Sequence, residues 1–430
     1  MRFHHGELRC FCYTINMQPI NVLTDKRILL GVTGSIACYK AVDLASKLTQ
    51  AGADVDVILT ESAAQFVSPL SFRSVTGRPV YTDLWGLDDH VRHVGLGEAA
   101  DLMLIAPATA NTIAKLAAGM ADNLLTVTAL AARCPVILAP AMDGGMWEHP
   151  ATQANSQTLQ GRGVMLAGPA AGRMASGLQG IGRMIEPQEL LGHARLALSR
   201  GGSMAGRKVV VTTGPTREPI DPVRFLTNRS SGKQGVAVAQ AALDAGADVT
   251  LIAGPMGEET PFGATVVRVE SVDEMTQAVL DNADNADALF MVAAVADFRP
   301  VSVAERKIKK SDNADEGMEI SLVKTTDVLM AVKDLRQAKG FPRVVLGFAA
   351  ETHNAADYGR EKLLRKGLNF IAVNDVTAEG AGFGVDTNRV LLLDPKGVIE
   401  VMPLQSKSVV AERLIHYVAE ALGNQSTQTD

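Results

Sequence analysis

The sequence predicts an α/β protein built from two doubly wound domains, and three internal matches carry that prediction. GADVDVILT (Gly52 to Thr60) returns as GADVTLIAG (Gly246 to Gly254), and ADLMLIAPATAN (Ala100 to Asn111) aligns without gaps on ADALFMVAAVAD (Ala286 to Asp297). PVILAPAMD (Pro135 to Asp143) parallels RVVLGFAAE (Arg343 to Glu351). Such apolar runs suit strands buried on both faces of a parallel sheet. At 430 residues the chain also exceeds the size at which a single core usually divides.

Composition sets the outer limits. A chain with 47% hydrophobic and 20% charged residues is ordinary globular protein, and a formal net charge of -6 argues against a surface that coats nucleic acid. The local basic cluster Lys307, Lys309 and Lys310 suits a small anionic ligand instead. Cys10, Cys12, Cys38 and Cys134 lack zinc-like spacing, which fits a reduced cytoplasm. No apolar run reaches the ~18 residues of a membrane span, and Met1 to Asn16 lacks the apolar core of a signal. Residues 1–22 read as a disordered extension, or as an upstream start ahead of Met17.

In chain order, a strand from Arg27 to Leu30 leads into GVTGSIACYK (Gly31 to Lys40), which opens a helix whose first N–H groups can cradle a phosphate. It is not the dinucleotide G-x-G-x-x-G spacing, and a close turn that binds nothing stays open. The second strand ends in TESA (Thr60 to Ala63) and the third in APATANT (Ala106 to Thr112). Three polar strand ends therefore meet at the crevice where open α/β sheets bind ligands, which points to a mononucleotide. Pro187 to Leu198 reads as a helix and SRGGSMAG (Ser199 to Gly206) as a flexible linker. The boundaries are 23–205 and 206–430, with a polar, frayed tail from Gly423 to Asp430.

The second half opens on KVVVT and continues as TTGPTREPIDPVRFLTNRSSGK, Thr212 to Lys233. Strand-to-helix loops usually run about 2 to 6 residues. Gly34 to Gly52 spans 18 positions and Gly214 to Gly246 spans 32, so the loop carries 14 extra residues and is expected to hold a ligand. It is not a P-loop, because Gln234 follows Gly232 and Lys233, and Thr227 stands where the first glycine belongs.

These residues carry a resemblance. PATANT (Pro107 to Thr112) resembles the PASANT motif, and PAMDGGMW (Pro140 to Trp147) the PxMNxxMW motif, of the homo-oligomeric FMN-containing cysteine decarboxylases. The long loop, AAVADFRP and the lysines after it resemble phosphopantothenate-cysteine ligase. Together they are similar to the bifunctional coenzyme A biosynthesis proteins of bacteria, from about residue 25 to 420. The resemblance implies two Rossmann-like domains, the first of the flavodoxin-like FMN decarboxylase kind.

For the first domain it implies FMN-dependent decarboxylation of 4'-phosphopantothenoylcysteine to 4'-phosphopantetheine, begun by hydride transfer from the thiol-bearing carbon to flavin. His93, in RHVGLG, matches the catalytic histidine, and Asn111 is expected at the substrate carboxylate. The alternatives are a solvated His93 and an Asn111 that caps a helix. FMN contacts are expected from Gly34, Ser35, Ile36, Thr60, Ser62, Ala106, Pro107, Ala108, Thr109 and Met142.

Two positions depart from the family pattern, Asp143 where Asn is common and Ser176 where a proton-donating Cys is common. An ionised Asp cannot donate as an amide does, and Ser is a far poorer acid than Cys. A protonated Asp143 or a water is expected to supply the proton. The competing reading is a ligase whose flavin domain is inactive or serves as a scaffold.

For the second domain the resemblance implies CTP- and magnesium-dependent ligation of cysteine to 4'-phosphopantothenate through an acyl-cytidylate. Asn228 matches the residue associated with that intermediate. Asp297, Lys307, Thr326, Asp327, Val328, Leu329, Phe348, Lys362 and Lys366 match the CTP site. The alternative for Asp297 is a helix cap, and for each lysine a solvated charge. Lys362 and Lys366 lie four apart on one predicted helical face, which lets both reach one triphosphate. Ala304 to Met318 lacks a core pattern and is read as a flap that nucleotide orders. Magnesium is expected on the CTP phosphates, with no protein cage. No nucleic-acid or membrane partner is expected, and the resemblance implies flavin-domain trimers and ligase-domain dimers assembled into a dodecamer.

Overall fold

Apolar runs with buried-strand character alternate with helical stripes along the chain, and that alternation dictates parallel sheets covered by helices. A computed structural model describes residues 20–85, 92–174, 177–309, 318–351, 354–375, 380, 382 and 384–426. The chain divides into two units, Met1–Leu198 and Ser199–Asp430.

The first unit runs β1 (Arg27–Val32), α1 (Cys38–Gln50), β2 (Asp54–Leu59), α2 (Glu61–Ala64), α3 (Pro69–Thr76), β3 (Val80–Tyr81), α4 (Arg92–Ala99), β4 (Leu102–Ala108), α5 (Ala110–Ala118) and α6 (Leu124–Ala131). It continues with β5 (Val136–Pro140), α7 (Gly144–Glu148), α8 (Pro150–Gly161), β6 (Met165–Leu166), β7 (Ala170–Arg173), β8 (Gln179–Arg183) and α9 (Pro187–Ser199). Strand order is β3-β2-β1-β4-β5-β6, all parallel, so the order reverses between β1 and β4. β7 and β8 form a separate antiparallel hairpin. Helix α1 shows why the pattern folds this way: Ala41, Leu44, Ala45 and Leu48 are buried on one stripe. Burying each such leucine stabilises by about 1.5–3 kcal/mol.

The second unit runs β9 (Lys208–Thr213), β10 (Arg217–Pro219), β11 (Phe225–Thr227), α10 (Lys233–Asp244), β12 (Asp248–Ala253), β13 (Thr265–Arg268), α11 (Val272–Ala283), β14 (Ala288–Met291), β15 (Phe298–Pro300) and β16 (Leu322–Lys324). It ends with α12 (Val328–Lys339), β17 (Val344–Glu351), α13 (Ala355–Lys366), β18 (Phe370–Asp375), β19 (Thr387–Asp394), β20 (Gly397–Ser406) and α14 (Lys407–Ser426). Its sheet repeats the first order and adds two strands, as β13-β12-β9-β14-β17-β18-β19-β20. Pairing is parallel as far as β18 and antiparallel at β18–β19 and β19–β20.

Two of the three sequence matches hold in register. Arg27 pairs with Asp54 and Ile28 with Leu102, just as Lys208 pairs with Asp248 and Val209 with Ala288. Even the base of the sheets repeats, since Asp101 Oδ2 accepts from Arg27 N at 2.9 Å and Asp287 Oδ2 from Lys208 N at 3.0 Å. The third match is one residue out. Met103 pairs with Val136 but Leu289 with Val345, whereas the sequence alignment set Val136 against Val344. In two apolar strands buried on both faces, hydrophobicity does not fix which residue faces which side.

Three boundaries also shift. Residues 20–22, assigned to the extension, form a turn in which Ile20 N donates to Ala51 O at 2.9 Å. The stretch taken as a flexible linker packs onto the second unit: Met204 is fully buried, its N–H donates to Ala245 O, and a Cβ on Gly202 would lie 2.2 Å from that carbonyl. Gly423 to Ser426, taken as frayed, continue α14.

Candidate functional sites

In the first unit the crevice forms where the strand order reverses. Thr33, just past β1, donates its hydroxyl to Pro107 O at 2.7 Å and accepts from Thr109 N at 3.1 Å, so the ends of β1 and β4 are tied together. A Cβ on Gly34 would stand 2.5 Å from Ser62 Cβ, which brings the turn after β1 against the turn after β2. Thr60 and Thr109 cap α2 and α5 through their side chains. Asn111 therefore caps nothing. It lies exposed in the first turn of α5. Ala106, Pro107 and Ala108 are buried, and the carbonyls of Pro107 and Ala108 are taken by Thr33 and by Ala141 N.

The β7–β8 hairpin closes the other side. Met142 N donates to Gly182 O at 2.9 Å, and a Cβ on Gly182 would lie 2.3 Å from Met142 O, so only glycine admits this approach. Between the hairpin and α1 lies a cavity of about 620 Å³ that brings together Ser35, Ile36, Met142 and Asp143, with Arg173 and Lys40. Lys40 is buried, its ammonium 2.9 Å from Met184 O and 2.6 Å from Glu186 Oε1. Asp143 caps α7, Oδ1 accepting from Gly145 N at 3.2 Å, a task that Asn performs equally well. His93 is half-buried in the first turn of α4, outside that cavity. Ser176 lies outside the described residues.

The cavity has the size of a cofactor site, and the exposed Ile36 side chain gives it an apolar wall for a flat ring. With the glycine-closed turn at Gly34, the first unit fits a flavin mononucleotide. Among the described residues no group of three acidic, His or Cys side chains is placed to hold a metal.

In the second unit the 14 additional residues become the β10–β11 hairpin and the stretch after it. Thr212 Oγ1 accepts from Val292 N at 3.0 Å and Ala293 N at 3.1 Å, and Thr216 Oγ1 from Ala296 N at 3.0 Å. Asn228 Nδ2 donates to Val295 O at 2.9 Å and Ala294 O at 3.3 Å. The segment after β14 is thus held on its N–H side by threonines and on its C=O side by Asn228. Asp297, at its end, is exposed and caps no helix; Asp327 caps α12.

These pieces line one cavity of about 780 Å³. Asn228, Asp297, Thr326 to Leu329, Phe348, Lys362 and Lys366 all border it, so every candidate of this domain is gathered there except Lys307. Lys366 Nζ lies 2.9 Å from Asp327 Oδ1 with its side chain 11% exposed. Burial disfavours the Asp327 anion, yet the Lys366 ammonium prevails and holds the carboxyl below its usual range. Burial, reinforced by the Lys366 charge, pushes the Lys362 ammonium below the usual lysine range. Lys366 is thus paired with Asp327, while Lys362 has no ion pair among the described residues to offset its burial.

Lys307 is exposed on the stretch beyond β15. The flap expected there is partly pinned: Ala304 N donates to Ile220 O at 3.0 Å and Ile308 N to Asp221 Oδ2 at 3.1 Å. Residues 310–317 of that stretch lie outside the described ones.

Sequence reasoning missed the far wall. Lys233 bonds Asp386 Oδ1 at 2.6 Å and Gly384 O at 3.0 Å, while buried Lys407 donates to the carbonyls of Gly382 and Val385. Burial and the nearby Lys233 push Lys407 down. Asn388 Nδ2 donates to Gln234 Oε1 at 3.0 Å, completing a polar end to the cavity. A lone lysine at a strand–helix junction carries no signal in sequence; only the sheet order brings Lys407 beside α10.

Comparison with known proteins extends over both units. Residues 204–422 match the family described as DNA/pantothenate metabolism flavoprotein C-terminal domain, and residues 18–195 match the family described as Flavoprotein. The coenzyme A biosynthesis bifunctional protein CoaBC of Mycobacterium tuberculosis (strain ATCC 25618 / H37Rv) is 46% identical over 413 residues, covering 94% of this chain and 98% of that protein. The protein of the same name from Bacillus subtilis (strain 168) is 44% identical over 410 residues, covering 94% and 99%. A crystal structure of the C-terminal domain of a CoaBC protein is 36% identical, covers 52% of this chain and 99% of that one, and superposes with a TM-score of 0.43.

Proposed function

Because the chain belongs to the family of bifunctional coenzyme A biosynthesis proteins, we propose that its second unit joins cysteine to 4'-phosphopantothenate and its first unit decarboxylates the product to 4'-phosphopantetheine. One observation carries the ligase reading: Asn228, Asp297 and the Lys362–Lys366 pair, three places widely separated in sequence, border a single cavity at the carboxyl ends of the strands.

Ligation begins when a phosphopantothenate carboxylate oxygen attacks the α-phosphorus of CTP and pyrophosphate leaves. Lys362 and Lys366 neutralise the charge that develops on the phosphates, in a partly buried setting where such charges count for more than in water. Magnesium, when bound, would be held mainly by the triphosphate and would offset its charge. The cysteine amine then attacks the acyl carbon, loses a proton and expels CMP. Asn228, whose Nδ2 donates to the segment after β14, presents its remaining oxygen as an acceptor to the cysteine amine that attacks the acyl-cytidylate, and Asp297 receives the nucleotide.

FMN, when bound in the first unit, would supply the reversible two-electron oxidation that makes loss of CO2 easy. The turn at Gly34 and Ser35 would receive its phosphate end. His93 takes the thiol proton or orients the carboxylate, Asn111 holds that carboxylate, and Asp143 in its protonated form returns a proton to the product. Flavin-domain trimers and ligase-domain dimers build a dodecamer, which light scattering measures.

The test follows pyrophosphate and CO2 separately on one preparation given CTP, phosphopantothenate and cysteine. Both are expected. Pyrophosphate without CO2 would instead favour a ligase whose flavin unit is inactive, the reading that Asp143 at a common Asn position invites. Absence of pyrophosphate defeats the ligase assignment.

A further inference from the structure

Among the described residues, Asp221 is a carboxylate fully withdrawn from solvent within the loop that forms the cavity wall, and it has no place in the chemistry above. Its Oδ1 accepts from Val223 N at 2.7 Å and Arg224 N at 2.8 Å, which shapes the turn between β10 and β11. Its Oδ2 accepts from Arg224 Nη1 at 3.2 Å and from Ile308 N at 3.1 Å. Arg224 Nη1 also donates to Ile308 O at 3.1 Å. Both backbone polar groups of Ile308 are therefore gripped by a residue pair more than eighty positions earlier in the chain.

Ile308 directly follows Lys307, the one ligase candidate that does not border the cavity. Asn228 lies just past β11, the strand that the same turn feeds. One buried carboxylate thus joins the stretch that bears Lys307 to the hairpin that bears Asn228. Burial pushes the Asp221 carboxyl up, but the three backbone N–H groups outweigh it and keep the group below its usual range.

We propose that Asp221 is a positioning residue for the ligase half-reaction, a clamp that fixes the backbone beside Lys307 at a set distance from Asn228. It touches neither substrate nor nucleotide and acts through Lys307. The inference rests on the reading of Lys307 as a CTP contact. A turn alone needs only the two Oδ1 bonds; the bond from Oδ2 to Ile308, across the chain, serves position.

Asp221→Asn, Lys307→Ala and the double variant of the full chain test this by a cycle on pyrophosphate release, with amide hydrogen exchange at Ile308 as the structural readout. Asn keeps the turn but replaces one acceptor with a donor that faces Ile308 N. Asp221→Asn is expected to speed exchange at Ile308 and to lower pyrophosphate release by about 100-fold, the effect of an ångström-scale misplacement. The double variant is expected to be no slower than Lys307→Ala alone, because a residue that acts only through another has nothing further to lose.

Losses that multiply overturn the proposal and leave the CTP role of Lys307 intact. Unchanged exchange at Ile308 overturns it as well. A Lys307→Ala enzyme with parental pyrophosphate release overturns the reading of Lys307 and the proposal together.

Discussion

Replacing Thr212 by valine removes one oxygen and almost no volume, yet it undoes the main fastening of the ligase crevice. Thr212 is fully buried, and its hydroxyl accepts from both Val292 N and Ala293 N. Each stranded bond costs about 1 kcal/mol net, so the loss is about 2 kcal/mol. For a unit of this size each kcal/mol moves the midpoint by about 2–4 °C, giving a fall of about 4–8 °C. The same segment carries Asp297 and accepts the Asn228 amide, so pyrophosphate release should fall by about 100-fold if it shifts by an ångström. Calorimetry reads the transition of the second unit, identified by its rise when CTP is added. Thr212→Ser keeps the oxygen and should hold most of the activity. A Thr212→Val protein that melts within about 1 °C of the parent and releases pyrophosphate at the parental rate would refute the idea that this hydroxyl holds the crevice.

Other expectations follow from single contacts. Gly182→Ala drives a Cβ against the Met142 carbonyl, a backbone atom that cannot swing away, so flavin absorbance per purified chain should fall sharply. Asp143→Asn keeps the α7 cap and removes the group proposed as the acid; on that proposal CO2-linked product formation should drop by about 100-fold while the flavin spectrum persists, as spectroscopy and product assay will tell. The phosphate contact proposed for Lys362 requires its ammonium form. Nucleotide affinity is therefore full at pH values below its depressed pKa and lost as pH rises through it, before the ~10.4 of an ordinary lysine. Nucleotide KM across alkaline pH shows this, and Lys362→Met should abolish the dependence. Chelation of magnesium should stop pyrophosphate release and spare CO2 release from supplied phosphopantothenoylcysteine.

Much of this was legible because repetition is a strong signal. Two gap-free matches placed β2 against β12 and β4 against β14 in their true register. The third slipped by one residue, because Val136 to Pro140 and Val344 to Glu351 are apolar on both faces and carry no alternation to fix parity. The excess length of the loop was countable, and it marked the ligase wall. What stayed hidden depends on neighbours distant in sequence: Lys407 beside α10, Asp221 under Ile308, and Met204 buried in a stretch whose glycines suggested a free linker. Glycine content reports backbone freedom in the unfolded chain. It does not report whether a surface lies close enough to require it.

The two halves use one device at their crevices, and the way they differ explains how similar sheets come to suit different chemistry. In each, a threonine hydroxyl at the end of the first strand fastens the end of the fourth. In the first unit Thr33 both donates to Pro107 O and accepts from Thr109 N, so donor and acceptor are spent together and the chain passes at once into α5. In the second, the Thr212 and Thr216 hydroxyls accept from three N–H groups of residues 292–296, and Thr212 turns its own proton to Met291 Sδ at 3.8 Å. The carbonyl of Val295 is then left for a donor from outside, and Asn228 supplies it while sharing the Ala294 carbonyl with Thr216 N. That donor comes from the stretch the first half lacks. The 14-residue insertion is therefore more than an added wall. By taking up the Val295 carbonyl and sharing that of Ala294, it fastens the segment after β14, which runs on to Asp297 before β15 begins, where the first half turns into a helix. The cavity beside that segment has lysines in its walls, which suits the triphosphate proposed for this half, whereas the flavin of the first half needs a flat slot.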